Sequence, residues 1–375
     1  MKFTVERDPL VDAVNWVSKS ISNRPITTAL LGIVIEADQQ VTLSGSDLES
    51  SAKANFSADI NQKGKVLVPG RLLADIARSL PAKTVTFTLE GTRVLVTAGS
   101  AKFTLPTLPL AEYPTLPTVP SATGTLASDL FATAINQVAI AAGKDDSLPT
   151  LTGVYVEINK NQITLAATDR YRLAVRELTW SATDANIETT SLLRARTLAD
   201  AAKSLVGNAQ VTLALSPTTS NEKLVGFSTD GKVMTSRVLD GSFPPFRHLL
   251  PSESTADAII EVAPLLDSVR RVALVTDKTV PLRLNFANNT LRLEAGTGEE
   301  AQATEELNIN YKGEDINIAF NPQFLVDGLN AIQSAFVHIA FTGANKPAVL
   351  TGQTEAGSAP ITNYKYLLMP MRYSS

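Results

Sequence analysis

The chain has 375 residues, 44% of them hydrophobic and 19% charged, and its 33 Lys and Arg against 37 Asp and Glu give a formal net charge of -4. That length exceeds a single core of roughly 250 residues, so two to three domains are expected. The absence of cysteine excludes disulfides, thiolate metal centres and a cysteine nucleophile, and the acidic balance excludes gripping nucleic acid by bulk attraction, so any phosphate contact must be local or weak.

The opening MKFTVERDPLVDAV has acidic residues where a signal peptide would carry its apolar core, and nowhere do about 18 apolar residues run together. A cytoplasmic protein without membrane contact is expected. The first helix starts here, with Asp8 as N-cap, Pro9 at the first helical position, and Leu10, Val14, Val17 and Ile21 on one stripe. Next come TALLGIVIE and VTLSGSDLESSAK, which turns at Asp47, then KVLVPG and the amphipathic phrase LADIARSL from Leu73 to Leu80. TVTFTLEG and RVLVTAG alternate with period two and break at Gly, as antiparallel hairpins do.

The same order then recurs. PTLTGVYVE answers TALLGIVIE, ITLAATDRYRLAV answers VTLSGSDLESSAK with Asp169 opposite Asp47, and LADAAKSL from Leu198 answers LADIARSL. A more diverged third copy has LLDSVRRV from Leu265 for LVDAVNWV from Leu10, LRLEAGTGEEAQ at the strand and turn, and LVDGLNAI from Leu325 as second helix. The period is roughly 120 to 130 residues. Pro106, Pro109, Pro114, Pro117 and Pro120 crowd the first joint, and Pro244, Pro245 and Pro251 the second, as in stiff linkers. The expected fold is α+β, three repeated domains at 1–120, 121–255 and 256–375, each with two helices packed on antiparallel sheets.

An enzyme is not expected. The chain has only His248 and His338, no GxxxxGK loop, and no repeated His and carboxylate spacing suited to a metal, so no active site, cofactor or metal follows. GTGEEA from Gly296 fits a loose dinucleotide pattern, but ATEELNI beyond it alternates like a strand where that motif needs a helix. Asp169 beside Arg172 could be a general base. Asp47 repeats it in a copy without the arginine, which fits a turn-forming role better.

Repeats that meet through the same surface add neighbours until they close. A domain of about 125 residues is a ball roughly 36 Å across; three in contact leave a hole about 6 Å wide, six leave one about 36 Å wide. Only six, meaning two chains, would pass a DNA duplex. Basic residues in or just beyond the helices would then line the inside: Lys19, Arg24, Arg78, Lys144, Lys203, Arg270, Arg271 and Lys278. Equally, Asp75 with Arg78 and Asp200 with Lys203 are spaced as pairs that simply solvate a helix face.

ATDRYRLAV from Ala167, DGSFPPFRHLLP and the terminal LLMPMR from Leu367 make the whole chain resemble the bacterial DNA polymerase III beta subunit family, the sliding clamps, of actinobacterial kind. The resemblance implies a head-to-tail homodimer, a pseudo-sixfold ring of DNA-clamp domains that encircles duplex DNA irrespective of sequence. It further implies that the ring tethers the replicative DNA polymerase, is opened by an external clamp loader, and takes other polymerases and repair proteins through short linear peptides. It places a peptide pocket at Leu151, Thr168, Arg170, Tyr171, Arg172, Leu173, Pro244, Leu249, Leu367, Leu368, Met369, Pro370, Met371 and Arg372. Such a set supplies apolar walls, two adaptable thioethers, and Arg172 or Arg372 to hold peptide backbone.

Many clamps have a small residue where this chain has Arg170, which implies a narrower or more basic rim, and Pro149 and Thr150 stand where some relatives place aromatic DNA contacts. Arg24 matches a family DNA contact, and Phe103 and Leu274 occupy apolar positions matching the family's joint between the first domain of one chain and the third of the other, or are equally ordinary core residues. Without the family, YKYLLMPMR reads as an edge strand whose Leu367 and Met369 pack the third domain, and the chain as a repeat scaffold that binds peptides without encircling DNA.

Overall fold

The computed structural model of the chain describes residues 1–22, 26–81, 84–205, 207, 209–216, 223–276, 280–296 and 301–372. Two compact units result: Met1–Ala132 with Trp180–Asn186 and Asp200–Val238, and Thr133–Thr179 with Ile187–Ala199 and Leu239–Ser375. The units are discontinuous in sequence because each is built round a nine-stranded sheet that draws strands from two separate stretches of chain.

In the first unit the nine strands run in the order Ser181–Ala182, Ala122–Ala127, Gln210–Leu215, Leu224–Thr229, Lys232–Arg237, Ser50–Phe56, Val41–Ser46, Gly32–Ala37 and Gly64–Pro69. A separate five-stranded sheet runs Asp59–Gln62, Lys2–Glu6, Thr84–Glu90, Arg93–Ala98 and Ala101–Pro106. In the second unit the nine strands are Glu188–Arg194, Gly153–Asn159, Gln162–Thr168, Arg172–Thr179, Ile361–Leu368, Ala348–Gln353, Phe336–Phe341, Ala256–Glu261 and Asn310–Lys312. Its four-stranded sheet is Ala303–Asn308, Thr290–Ala295, Leu282–Ala287 and Ile316–Phe320.

Six helices are described, α1 (Arg7–Ser18), α2 (Gly70–Ser79), α3 (Ser128–Ala139), α4 (Ala195–Leu205), α5 (Val262–Val272) and α6 (Pro322–Ile332); α1 packs on α2 and α5 on α6. This is the α+β pattern expected. Among the described residues no helix is long and apolar enough to cross a membrane.

Alternation builds the sheets and stripes attach the helices. In Lys2–Glu6 the buried positions are Phe3 and Val5, and Phe3 stacks on Phe87 at 4.8 Å between ring centroids. Trp16 of α1 is almost wholly buried and donates its indole N–H to Val233 O at 3.2 Å, so the ring is buried with its one polar atom satisfied. The start of α1 corrects the sequence reading: the N-cap is Glu6, and Asp8 and Pro9 lie inside the first turn. Proline is tolerated there because first-turn N–H groups lack helical partners, and Asp8 still complements the helix dipole. Beyond Gly296 the chain forms the strand Ala303–Asn308, as its alternation predicts, although 297–300 lie outside the described residues.

Candidate functional site

The site grows from a turn that the chain writes twice. Thr168 Oγ1 donates to Arg172 O at 2.7 Å and accepts the Arg170 N–H at 3.1 Å, while Asp169 Oδ1 accepts the Tyr171 and Arg172 N–H groups, each at 3.0 Å. In the other copy Ser46 Oγ donates to Ser50 O at 3.0 Å and accepts the Leu48 N–H at 3.1 Å, and Asp47 Oδ1 accepts from Glu49 and Ser50 at 3.0 and 2.6 Å. Leu48 (φ 74°) and Arg170 (φ 81°) are both left-handed. The aspartates therefore organise backbone and are not general bases.

Arg172 is 5% exposed. Its Nε donates to Asp169 Oδ2 at 2.9 Å and its Nη1 to Asp327 Oδ2 at 2.7 Å, with the Tyr366 hydroxyl 3.4 Å away and the Phe324 ring centroid 4.2 Å from Cζ. Burial opposes its charge, but Tyr366, Asp327 and Asp169 outweigh burial and hold its pKa above the ordinary arginine value. Its Nε and Nη1 are thus engaged inside the fold, a bracing role beside the peptide grip expected of it. Arg372, of which the same grip is expected, is exposed at the surface.

Leu173, Leu367 and Leu368 are each 1% exposed, and the first two join Ala166, Val175, Phe246 and Val349 in one apolar cluster. They form an apolar floor beneath the site. Leu151 is also buried, Thr168 half-buried. What remains open is Arg170, Tyr171, Pro244, Leu249 and Met369, with Pro370 and Met371 half-buried. The second linker lies on the cluster through Phe243, Phe246 and Leu250 and carries Pro244 and Leu249 at its surface. The terminal segment is tied by Met369 N–H to Tyr171 O at 2.9 Å and by Met371 N–H to Ala319 O at 2.8 Å.

Beside the turn a concavity of about 350 Å³ is lined by Lys144, Leu148, Leu151, Arg170, Tyr171 and Phe324, among others. Phe324 and Asp327 belong to α6, which is fixed by Pro322 in its first turn and by Asn321, whose side chain accepts the Gln323 and Phe324 N–H groups. The sequence reading missed both, along with Tyr366. The one signal it held was Arg172 itself, a buried-strand cation with Ser50 at the matching place in the other copy.

The basic residues have varied surroundings. Arg78 pairs with Asp75 at 2.6 Å and Lys203 with Asp200 at 3.1 Å, while Lys144 is exposed at the rim of the concavity. Lys19 donates Nζ to Asp200 O at 2.9 Å, and burial pushes its pKa below the ordinary lysine value. Arg270 stands 3.8 Å from Asp267, and Arg271 is bound to Glu305 and Ser268. Arg24 and Lys278 lie outside the described residues. Phe103 is half-buried on the edge strand Ala101–Pro106, and Leu274, just after α5, is 83% exposed. Among the described residues no group of three or more His, Asp or Glu is placed to hold a metal.

Known proteins resemble this chain end to end. The patterns of the DNA polymerase III beta subunit match in sequence order, the N-terminal domain over residues 1–117, the central domain over 125–245 and the C-terminal domain over 247–372. The beta sliding clamp of Streptomyces coelicolor is 47% identical over 375 residues, covering 100% of both chains. The DNA polymerase III beta subunit of Thermotoga maritima superposes with a TM-score of 0.90 at 25% identity, covering 100% of both chains. A Pseudomonas aeruginosa sliding clamp bound to griselimycin does so with a TM-score of 0.90 at 26% identity, again over 100% of both.

Proposed function

The chain belongs to the DNA polymerase III beta subunit family, the sliding clamps, and we propose that two copies close head to tail into a ring round duplex DNA and act as a non-catalytic processivity factor. The ring holds the replicative polymerase on its template by confinement, which needs no sequence readout and no strong phosphate grip. A net charge of -4 suits a body that must stay on the duplex yet slide along it.

One observation carries the assembly. With boundaries near 120 and 255, each repeat supplies nine described strands, five to one sheet and four to another. Five and four are joined twice within the chain, by Lys232–Arg237 against Ser50–Phe56 and by Ile361–Leu368 against Arg172–Thr179. The equivalent edges left over are Ala101–Pro106 of the five-stranded sheet and Ala303–Asn308 of the four-stranded one. Pairing them between two copies makes the third nine-stranded sheet, and does so twice per dimer. Lys102 on one edge and Glu305 and Glu306 on the other have opposite sign; Phe103, Leu274 and the 44% exposed Leu72 of α2 supply apolar contact.

Linear peptides of the polymerase, and in turn of the loader, other polymerases and repair proteins, dock on the open face made by Arg170, Tyr171, Pro244, Leu249 and the segment Met369 to Arg372. Griselimycin, bound by the Pseudomonas relative, is a ligand with which to test that face by competition. Removal of residues from Met369 onward should abolish peptide capture and leave the dimer intact, because the strand Ile361–Leu368 ends before the cut. Lys144, Lys203, Arg78 and Arg270 are the exposed cations offered to DNA.

Retention on DNA tests the ring. After loading on a closed circle, protein should remain bound in high salt and be lost once the circle is cut, since a mechanical link escapes the steep salt dependence of phosphate contacts. Equal loss from circular and linear DNA would leave a peptide-binding scaffold that encircles nothing.

A further inference from the structure

Two turns share their internal hydrogen bonds and a left-handed third residue, yet the place that Ser50 takes in the first is taken by Arg172 in the second. The ion pairs of Arg172 are therefore not needed to make the turn. They do something that only the second turn requires.

We infer that Asp327 is a positioning residue for peptide capture: through Arg172 it locks the Thr168 to Arg172 turn onto α6 and so fixes the face on which the peptide seats. The inference rests on the peptide-docking reading above. Asp327 is itself oriented, because its Oδ1 accepts from Gln323 Nε2 at 2.8 Å while Oδ2 takes Arg172 at 2.7 Å. The Tyr366 hydroxyl donates to Phe324 O at 2.9 Å and closes the cluster from the strand side. Arg172 and Leu368 are paired across the sheet, and Met369 hangs from Tyr171 O, so the terminal segment inherits the position of the turn. Tyr171 and Met369, both exposed, thus depend on a carboxylate that lines the concavity beside the turn and acts on them through Arg172. Neutralising it leaves a buried guanidinium with one carboxylate partner and loosens the turn that the pair braces.

The test titrates a fluorescent synthetic peptide, carrying the replicative polymerase's clamp-binding segment, against the full-length protein by anisotropy, with hydrogen exchange in parallel. Asp327→Asn should weaken binding about tenfold, Asp327→Glu should restore most of it, and Gln323→Ala, which frees the carboxylate without removing it, should weaken binding about threefold. In Asp327→Asn, exchange should quicken at the Tyr171, Arg172 and Met369 amides and stay unchanged at Glu49 and Ser50, the same turn without the strut. Affinity within about twofold of wild type in both Asp327→Asn and Gln323→Ala overturns the inference. Weakened binding with equal quickening at Glu49 and Ser50 also overturns it, by making Asp327 a general stability residue. Failure of the wild-type protein to bind the peptide would instead refute the docking reading, and the inference with it.

Discussion

Arg247 grips Glu157 with both arms of its guanidinium, Nη2 to Oε1 at 2.6 Å and Nη1 to Oε2 at 3.1 Å. The Tyr155 hydroxyl donates to the same carboxylate at 3.0 Å, and the Tyr155 ring stacks on Phe243 at 5.2 Å between centroids. Together these pin the second linker to the strand Gly153–Asn159. Since Arg247 is more than half exposed, Glu157→Gln should cost only about 0.5–1 kcal/mol in urea unfolding. Peptide affinity should fall further than that loss suggests, by roughly two- to fivefold, because Pro244 and Leu249 ride on the linker. Anisotropy and urea titration on one preparation separate the two effects.

Gly328 sits in α6 where glycine is ordinarily a defect, and alanine there would usually stabilise a helix by about 1 kcal/mol. Here a Cβ would stand 2.4 Å from Cε1 of Tyr366, a ring that is wholly buried. Neither helix nor ring has room to retreat, so Gly328→Ala should destabilise by about 1–3 kcal/mol. Displacement of Tyr366 should also loosen Arg172, and peptide affinity should drop with stability. A rise in the urea midpoint would show that the contact relaxes freely.

The turns and the repeat were legible because their chemistry is local: a hydroxyl at Ser46 or Thr168 and a carboxylate at Asp47 or Asp169 reach amides two to three residues on, a pattern visible in either string. Helix pairs were legible for the same reason, through stripes such as Leu10, Val14 and Val17. Arg172 with Asp327 was not, since 155 positions separate partners that only the folded sheet brings together. Nor could alternation tell the open Met369 from the buried Leu367 two residues earlier, because both lie on the same side of one strand pattern and only the linker laid over the cluster decides which is covered.

Acid should loosen the edge that carries Glu305. Hydrogen bonds from Arg271 and then Ser268 hold its carboxyl below the ordinary glutamate value of 4.5. A lowered folded-state pKa means that the stabilisation is complete above the unfolded value and is lost as pH falls through the folded one. Exposure of the pair keeps the effect small for the monomer. Its consequence should be read in the assembly: as pH is lowered past 4.5, the dimer should weaken in wild type, while Glu305→Gln should show a weaker dimer at neutral pH and a shallower acid dependence. Sedimentation across the pH range checks both slopes, and parallel slopes would remove Glu305 from the joint.

Phe103→Asp tests whether the two free edges are the subunit joint. The side chain is half-buried on the outermost strand of its sheet, so a carboxylate there faces water in a single chain and should leave the fold intact. Between two paired edges the same carboxylate would be trapped against apolar surface and beside the acidic strand Ala303–Asn308, costing several kcal/mol without a partner. Sedimentation should therefore find 40.0 kDa for the variant and twice that for wild type. Retention on circular DNA should disappear with the dimer, while peptide affinity should hold, since every residue of the docking face belongs to one chain. Leu274→Asp should act in the same direction from the other side of the joint. A Phe103→Asp protein that kept the doubled mass would place the contact on another pair of edges, with Asp59–Gln62 and Ile316–Phe320 next in line as the outer strands of the same two sheets.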